Sequence, residues 1–383
     1  MDHEKPSDAL EAADAVLRFL ASVGPSSEAE FYLRLFRSRA AESFATIAVE
    51  AAALEQNASG VAVDLRFLNG LGLTPVVVVG LDEHEHAAAH RDKLQALLRK
   101  EGLQSEAFDG EPDSSAVALA ARSGRIPLLA ASGGEHHARI ANLGRLLGEL
   151  CTHKLIFLGP EGGLRLRGDR ISVVNLSADY DALSANEALN QRQRELLADS
   201  HRLVFELVGH PLLISVTSPL NLLHELFTVK GAGSLLRRGA RVTRHGGYAG
   251  VDLGRLTKLL TASFGRPPIG DFFARPLEHA YIEETYRGAA LVMRAPLGGY
   301  LSKFAVTREA QGEGIGQDLW TALAADHPAL IWRSRSENPI RVWYEKQCQG
   351  RFETGPWTVY VRGIERSQIA AAIDFALAQP IDL

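Results

Sequence analysis

Three glycines alternate in QGEGIG, residues 311–316, directly ahead of an apolar helical stretch. Glycines at this spacing let the backbone curl until several N–H groups point at one anion, and a helix that starts there adds the positive end of its dipole. The loop therefore suits a phosphate. Residue type excludes two familiar versions. A P-loop ends its glycine run in Gly-Lys-Ser/Thr, whereas Gln317 follows Gly316. A dinucleotide fingerprint requires G-x-G-x-x-G and an acidic ribose partner at the end of the next strand, and neither is in place. What remains is strand, glycine loop and helix, an arrangement that takes a pyrophosphate. Nearby, Arg333 and Arg335 lie two apart in LIWRSR, so on a strand their side chains share a face. A guanidinium grips a carboxylate through two parallel hydrogen bonds, which fixes direction as well as supplying charge.

Other reactive side chains carry less. His86 and His90 in EHEHAAAH have i,i+4 spacing but no third ligand nearby, and they read as a solvated helix face. Glu135, His136 and His137 follow Gly133 and Gly134, and adjacent histidines point apart on most backbones. No metal is assigned. The two cysteines, Cys151 and Cys348, are far apart and form no CxxC, which argues against a disulfide framework or thiolate zinc and fits a reducing cytoplasm. Cys348 lacks a His/Asp activating partner, so it reads as a buried thiol rather than an acetyl carrier.

The elements that position these residues follow from length and patterning. A chain of 383 residues is long enough for two domains. With 46% hydrophobic and 23% charged residues and a net charge of −5, it has an ordinary globular composition and no basic excess for nucleic acid. The start MDHEKPSDAL reads as neither a secretory signal nor a transit peptide, and the longest apolar runs are too short to span a bilayer. Residues 26–43 have helical spacing. Strand patterns at 44–54, 74–80, 125–132, 154–160 and 170–177 alternate with helical patterns at 90–102 and 138–151, the signature of a mainly parallel sheet covered on both faces. GRPPIG at 265–270 marks a boundary. Beyond it, strands are expected at 286–295, 299–306, 329–335 and 357–364. Helices are expected after the glycine loop, at 339–347 and at the end.

GYLSKFAVTREAQGEGIGQDLW and LIWRSRSENPIRVWY closely resemble the acetyltransferase domain of vertebrate-type N-acetylglutamate synthases and bifunctional bacterial synthase/kinases. SVTSPLNLLHELFTVKGAGSLLRRGARV (215–242) and SFGRPPIGDFFARP (263–276) extend the resemblance upstream. It implies an α/β protein, an amino-acid kinase-like domain over 28–264 followed by a GCN5-related N-acetyltransferase (GNAT) domain over 265–383, with 1–27 as an N-terminal tail. The implied reaction moves acetyl from acetyl-CoA to the α-amino group of L-glutamate. By the resemblance, Phe304, Ala305 and Val306 hold the pantetheine arm, and Gln311, Gly312, Gly314 and Gly316 hold the pyrophosphate. Lys303, Arg333 and Arg335 take the glutamate carboxylates, Asn338 hydrogen-bonds the substrate, and Tyr344 protonates the departing thiolate. Ser302 stands where relatives often carry aspartate, which keeps another amino acid or amine open as the acceptor. A non-catalytic, arginine-responsive protein is the further alternative, and the joint presence of QGEGIG, WRSR, Asn338 and Tyr344 argues against it.

The resemblance also implies that the front domain has lost its phosphoryl transfer. Active relatives show K-V-G-G after the first strand; this chain has Ala48, Val49, Glu50 and Ala51. Their H-G-x-G falls on Val79, Gly80, Leu81 and Asp82, and an aspartate expected near 140–145 has become Gly144. An L-arginine effector site is implied at Tyr32, Glu225, Lys230, Gly231 and Gly233, and a homo-oligomer, a tetramer by resemblance, with a cytoplasmic location.

Overall fold

The computed structural model describes Leu33 and residues 41–131, 133–227, 232–307, 314–338 and 340–381. The expected helix over 26–43 falls largely outside these residues. Two compact units divide the chain, Met1–Arg238 and Gly239–Leu383.

In the first unit, short apolar runs become strands: β1 (Thr46–Val49), β2 (Val76–Val79), β3 (Ser105–Asp109), β4 (Ile126–Ala130) and β5 (Lys154–Leu158). A small hairpin, β6 (Arg165–Leu166) with β7 (Asp169–Arg170), leads to β8 (Val173–Asn175), β9 (Leu213–Thr217) and β10 (Ser234–Arg237). The sheet runs β3-β4-β2-β1-β5-β9-β10-β8 and is parallel from β3 to β9. Only β10 against β9 is antiparallel. The helices needed below are α1 (Ala51–Gly70), α2 (Ala87–Lys100), α3 (Ser114–Arg122), α4 (His136–Glu149), α5 (Leu176–Ser184), α6 (Gln191–Arg202) and α7 (Leu222–Phe227).

Alternation along the strands feeds two cores. Ile47 and Val49 join Leu54 and Leu65 of α1 and Leu94 of α2, while Ala48 joins Leu143 and Leu147 of α4 and Leu197 of α6. The strand expected over 44–54 ends at Val49, because the following alanine-rich run is a strong helix former and Glu50 adopts the extended conformation of an N-cap. The half-exposed edge strand β3, SEAFD, was not anticipated, since it lacks an apolar run.

The second unit contains β11 (Val242–Gly246), α8 (Leu253–Phe264), β12 (His279–Glu283), β13 (Gly288–Ala295) and β14 (Gly298–Val306). Then come α9 (Ile315–Asp326), β15 (Leu330–Arg335), α10 (Arg341–Gln347), β16 (Gly350–Thr354), β17 (Trp357–Arg362) and α11 (Ile369–Ala378). Its sheet runs β11-β12-β13-β14-β15-β17-β16, with β14 and β15 the one parallel pair. The division falls at Arg238/Gly239 rather than at the Pro/Gly stretch 265–270. The reason is pairing: β11 extends this sheet from Val242↔Glu283 to Gly246↔His279, and Leu256, Leu259 and Leu260 of α8 pack with Ala289, Leu291 and Ala305. Among the described residues no helix is long and apolar enough to cross a membrane.

Asp64 on α1 provides a test of the first core. Burial alone pushes its carboxyl up to about 7 from an ordinary 3.8. The folded chain therefore holds a proton that the unfolded chain has released between those values, so stability falls as pH rises toward 7. Asp64→Asn should raise the melting temperature at pH 8, with the difference vanishing toward pH 4, in thermal melts across that range.

Candidate active site

β14 and β15 pair only at Gly299↔Leu330, Tyr300↔Ile331 and Leu301↔Trp332, although β14 runs on to Val306 and β15 to Arg335. Beyond Leu301 they part. The outer edges stay paired, β14 to β13 as far as Val306↔Gly288 and β15 to β17 as far as Arg335↔Trp357. At the point of parting the β13–β14 register slips, with Leu291 opposite Lys303 and Val292 opposite Leu301. Ser302 is the extra residue, and such a bulge bends its strand. The edge of β14 at Phe304, Ala305 and Val306 is thus left without a β15 partner. An unpaired strand edge of this kind accepts an extended, amide-bearing chain through main-chain hydrogen bonds.

The glycine loop ends at the same edge. Gln311 and Gly312 lie outside the described residues. Gly314, at φ 86°, occupies the N-cap of α9. A side chain would be strained at this φ, so glycine is required there. A Cβ on Gly316 would lie 3.7 Å from Phe304 and 3.8 Å from Val306, which puts the first turn of α9 against the open part of β14. A Cβ on Gly288 would lie 2.6 Å from Ile315 and 2.9 Å from Leu319, so the bare glycine lets β13 approach the same turn. The start of α9 is thereby fixed beside the opening, with its positive dipole end directed toward it.

Below the opening is a layer of aromatic rings. Tyr344 of α10 lies with its ring centroid 5.4 Å from Tyr360, 5.8 Å from Trp332 and 6.3 Å from Phe304, and Trp343 stacks on Phe304 at 5.2 Å. Burial, with Tyr360 beside it, pushes the Tyr344 phenol well above its ordinary value, so the proton stays on the oxygen. No hydrogen-bond partner holds that hydroxyl among the described residues. In the same layer Trp332 Nε1 and Tyr360 Oη are enclosed polar atoms with no hydrogen-bond partner among the described residues. Asn338 sets up α10: its Oδ1 accepts from Ile340 N at 3.2 Å, and its carbonyl accepts from Arg341 N at 3.0 Å.

Strand register places the basic residues on the opposite face of the sheet. Lys303 follows Leu291 toward α8, and its Nζ donates to Ser302 O and Oγ at 3.1 and 3.2 Å and lies 5.4 Å from the Phe272 ring. Arg333 and Arg335 do share a face, each over the Trp357 ring at 4.1 and 4.2 Å. Their surroundings differ from the expectation of two equivalent carboxylate grips. Arg333 donates to the carbonyls of Leu377, Gln379 and Pro380 at 3.0, 2.7 and 3.1 Å and so closes the C-terminal end of α11. Arg335 is exposed, and among the described residues its guanidinium rests on the indole alone. Tyr360, Trp357 and Phe272 escaped the sequence reading. The alternation in WTVYVR held the signal for the first two, but the face of that strand was unknown.

In the first unit, the end of β1 is occupied by an internal ion pair. Glu50 at the end of β1 is buried, and its Oε1 accepts from Nε and Nη2 of Arg192 at 2.9 and 2.8 Å. Burial raises the Glu50 pKa and Arg192 opposes the rise. A Cβ on Gly159 would lie 2.5 Å from Glu50 Oε2, and Asp82 accepts from Ala51 N at 3.0 Å. At Gly144 a Cβ would lie 2.6 Å from that of Leu207, so the leucine occupies the room an aspartate would need.

Of the expected effector residues, Tyr32, Lys230 and Gly231 lie outside the described residues. Glu225 is buried, accepting from Ser215 Oγ at 2.7 Å and from the amides of Ala232 and Gly233 at 2.9 Å each. A Cβ on Gly233 would lie 2.2 Å from Val216 O. Both residues are accounted for by the folding of their own loop.

Comparison with known proteins bears on both units. Residues 242–376 match the family model described as N-acetyltransferase, of N-acetylglutamate synthase. An acetylglutamate kinase of Xanthomonas campestris is 31% identical, across 89% of this chain and 94% of the relative. The mitochondrial N-acetylglutamate synthase of Homo sapiens is 32% identical, across 94% of this chain and 77% of its own. Among solved structures, the N-acetylglutamate synthase of Neisseria gonorrhoeae, complexed with coenzyme A and N-acetyl-glutamate, superposes with a TM-score of 0.59 at 15% identity. That alignment covers 89% of this chain and 98% of the other, and it supports the fold.

The contacts of Arg333 generate a direct test. Arg333→Ala removes charged donors from three carbonyls and should lower stability by about 1.5–3 kcal/mol. Hydrogen exchange should accelerate in 369–378 and stay unchanged in α9, as read by mass spectrometry.

Proposed function

Because the chain belongs to the family of these acetylglutamate kinases and N-acetylglutamate synthases, we propose that it is an N-acetylglutamate synthase using acetyl-CoA and L-glutamate. The observation that carries this reading is the parting of β14 from β15 beside a glycine-capped helix start, with the protonated Tyr344 in the layer beneath. The pantetheine arm adds along Phe304–Val306 in place of the absent strand. The pyrophosphate meets the start of α9 and the loop of Gln311, Gly312, Gly314 and Gly316. This directs the thioester toward the opening between the two faces of the sheet.

Glutamate approaches from the basic face. Lys303 and Arg335 take its two carboxylates, Arg333 anchors the floor of that face through α11, and Asn338 contributes its amide. The ammonium gives a proton to water, and the amine attacks the thioester carbonyl. As the tetrahedral intermediate collapses, the C–S bond breaks and the thiolate takes the proton of Tyr344, while the attacking nitrogen loses its second proton to water, which returns it to the phenolate. A buried phenol suits this role, since it remains a donor throughout the working pH range. Two cations facing a two-carboxylate substrate favour glutamate over a simple amine as acceptor.

The first unit is read as incapable of phosphoryl transfer. That chemistry depends on positioning and on cations aimed at the phosphates. Here the end of β1 presents a buried carboxylate already paired with Arg192, and Leu207 fills the place of the missing aspartate.

Two outcomes follow for turnover measured by thiol release, and a third for ADP formation. Tyr344→Phe should lower kcat by roughly 10²–10⁴ with little change in acetyl-CoA affinity. Arg335→Ala should raise the KM for glutamate about tenfold or more at nearly unchanged kcat, as for lost uniform binding. Incubation of the native chain with ATP and N-acetylglutamate should yield no ADP. Thiol release with another amine but not with glutamate would move the substrate, and ADP formation would overturn the reading of the first unit.

A further inference from the structure

Away from the opening, at the far end of α9, two imidazoles face one another. His279 begins β12, and His327 immediately follows the last turn of α9, its N–H donating to Leu323 O at 2.9 Å. His279 Nδ1 and His327 Nε2 are 3.1 Å apart, and one donor atom each from Glu278, His279 and His327 lie within 4.8 Å of one another. We propose that Glu278, His279 and His327 bind one divalent transition-metal ion of the zinc class, tying the start of β12 to the end of α9.

The donor set is that of zinc: two imidazole nitrogens and a carboxylate, with a fourth position left for water. Two nitrogens on a tetrahedral ion, each at 2.0–2.1 Å, stand about 3.3 Å apart, so the observed separation needs only a few tenths of an ångström of adjustment. The surroundings hold the three residues in place. A Cβ on Gly299 would lie 3.0 Å from His327 Nδ1, so the glycine makes room for the ring. His279 pairs across β12 with Gly246 and Val292. Glu278 is oriented by Arg294 at 3.3 Å, a contact on an exposed guanidinium that yields readily to a metal. Asp326, next to His327, is engaged by Tyr281 Oη at 2.7 Å and Arg244 at 3.2 Å and is therefore not counted as a ligand. His327 is buried, while Glu278 and His279 are half-buried, which leaves a route for the ion. A cation here also complements the negative end of the α9 dipole. This site is independent of the acetyl-transfer reading, since it lies a full helix length from the glycine loop.

The test uses the full chain stripped of metal by chelator. Equilibrium dialysis against Zn²⁺, and the visible spectrum of added Co²⁺, should show one ion per chain in four-coordinate geometry. Zn²⁺ should raise the melting temperature. His279→Gln and, separately, Glu278→Gln should weaken binding, the histidine variant by roughly 100-fold or more, and should abolish the thermal shift. The double variant His86→Gln/His90→Gln should leave both effects intact, which separates this site from the i,i+4 histidines on the first unit. Absence of stoichiometric binding by the native chain would overturn the proposal. So would binding that survives His279→Gln and Glu278→Gln unchanged, and the histidine pair would then be a plain hydrogen bond.

Discussion

The parting of β14 from β15 is the constraint on which the second unit depends. Parallel pairing is confined to three residue pairs, and everything on the acetyl-transfer side follows from where it stops. The extra residue at Ser302 bends β14, while β13 and β17 keep the two diverging strands within one sheet. A gap in the middle of a sheet would ordinarily leave main-chain groups without partners in a dry interior. In the family to which this chain belongs, a substrate that carries its own amides provides a physical reason for such a gap to persist.

The same gap separates two chemical environments. One face carries Tyr344, Phe304, Trp332 and Tyr360, apolar enough to keep a phenol protonated. The other carries Lys303, Arg333 and Arg335 on aromatic supports. Indole and phenyl faces hold cations without neutralising them, so Arg335 keeps its full charge on the Trp357 ring. Arg333, on the same ring, is committed to three carbonyls instead. Residues two apart on one strand can therefore have different tasks.

The first unit shows how a buried carboxylate is accommodated at the end of a central strand. Glu50 is buried and would be costly alone, because an unpaired buried carboxylate loses its hydration without compensation. Arg192 supplies the compensation, and the bare Gly159 lets the carboxylate fit. Leu207 plays a similar part at Gly144. The resulting packing holds the end of β1 against its neighbours in a mainly parallel sheet.

Much of this was legible in the sequence, for identifiable reasons. Runs such as VVVV at 76–79 are buried on both faces, and such strands announce themselves without any partner being known. The helix after the glycines and the order of strands 288–306 and 330–335 were readable because local residue type dictates them. Edge strands β3, β11 and β16 were not, since half-exposed segments carry weak patterns. The division at Arg238/Gly239 was hidden because proline and glycine mark a turn, whereas strand pairing decides which sheet a segment joins. Parity placed Arg333 and Arg335 together, but no local rule says that the end of α11 arrives beneath one of them. Nor could the sequence bring His279 to His327, or Arg192 to Glu50, across such separations. The residues themselves determined which chemistry was possible; distance in three dimensions, created by sheet register and helix packing, decided which of them come together.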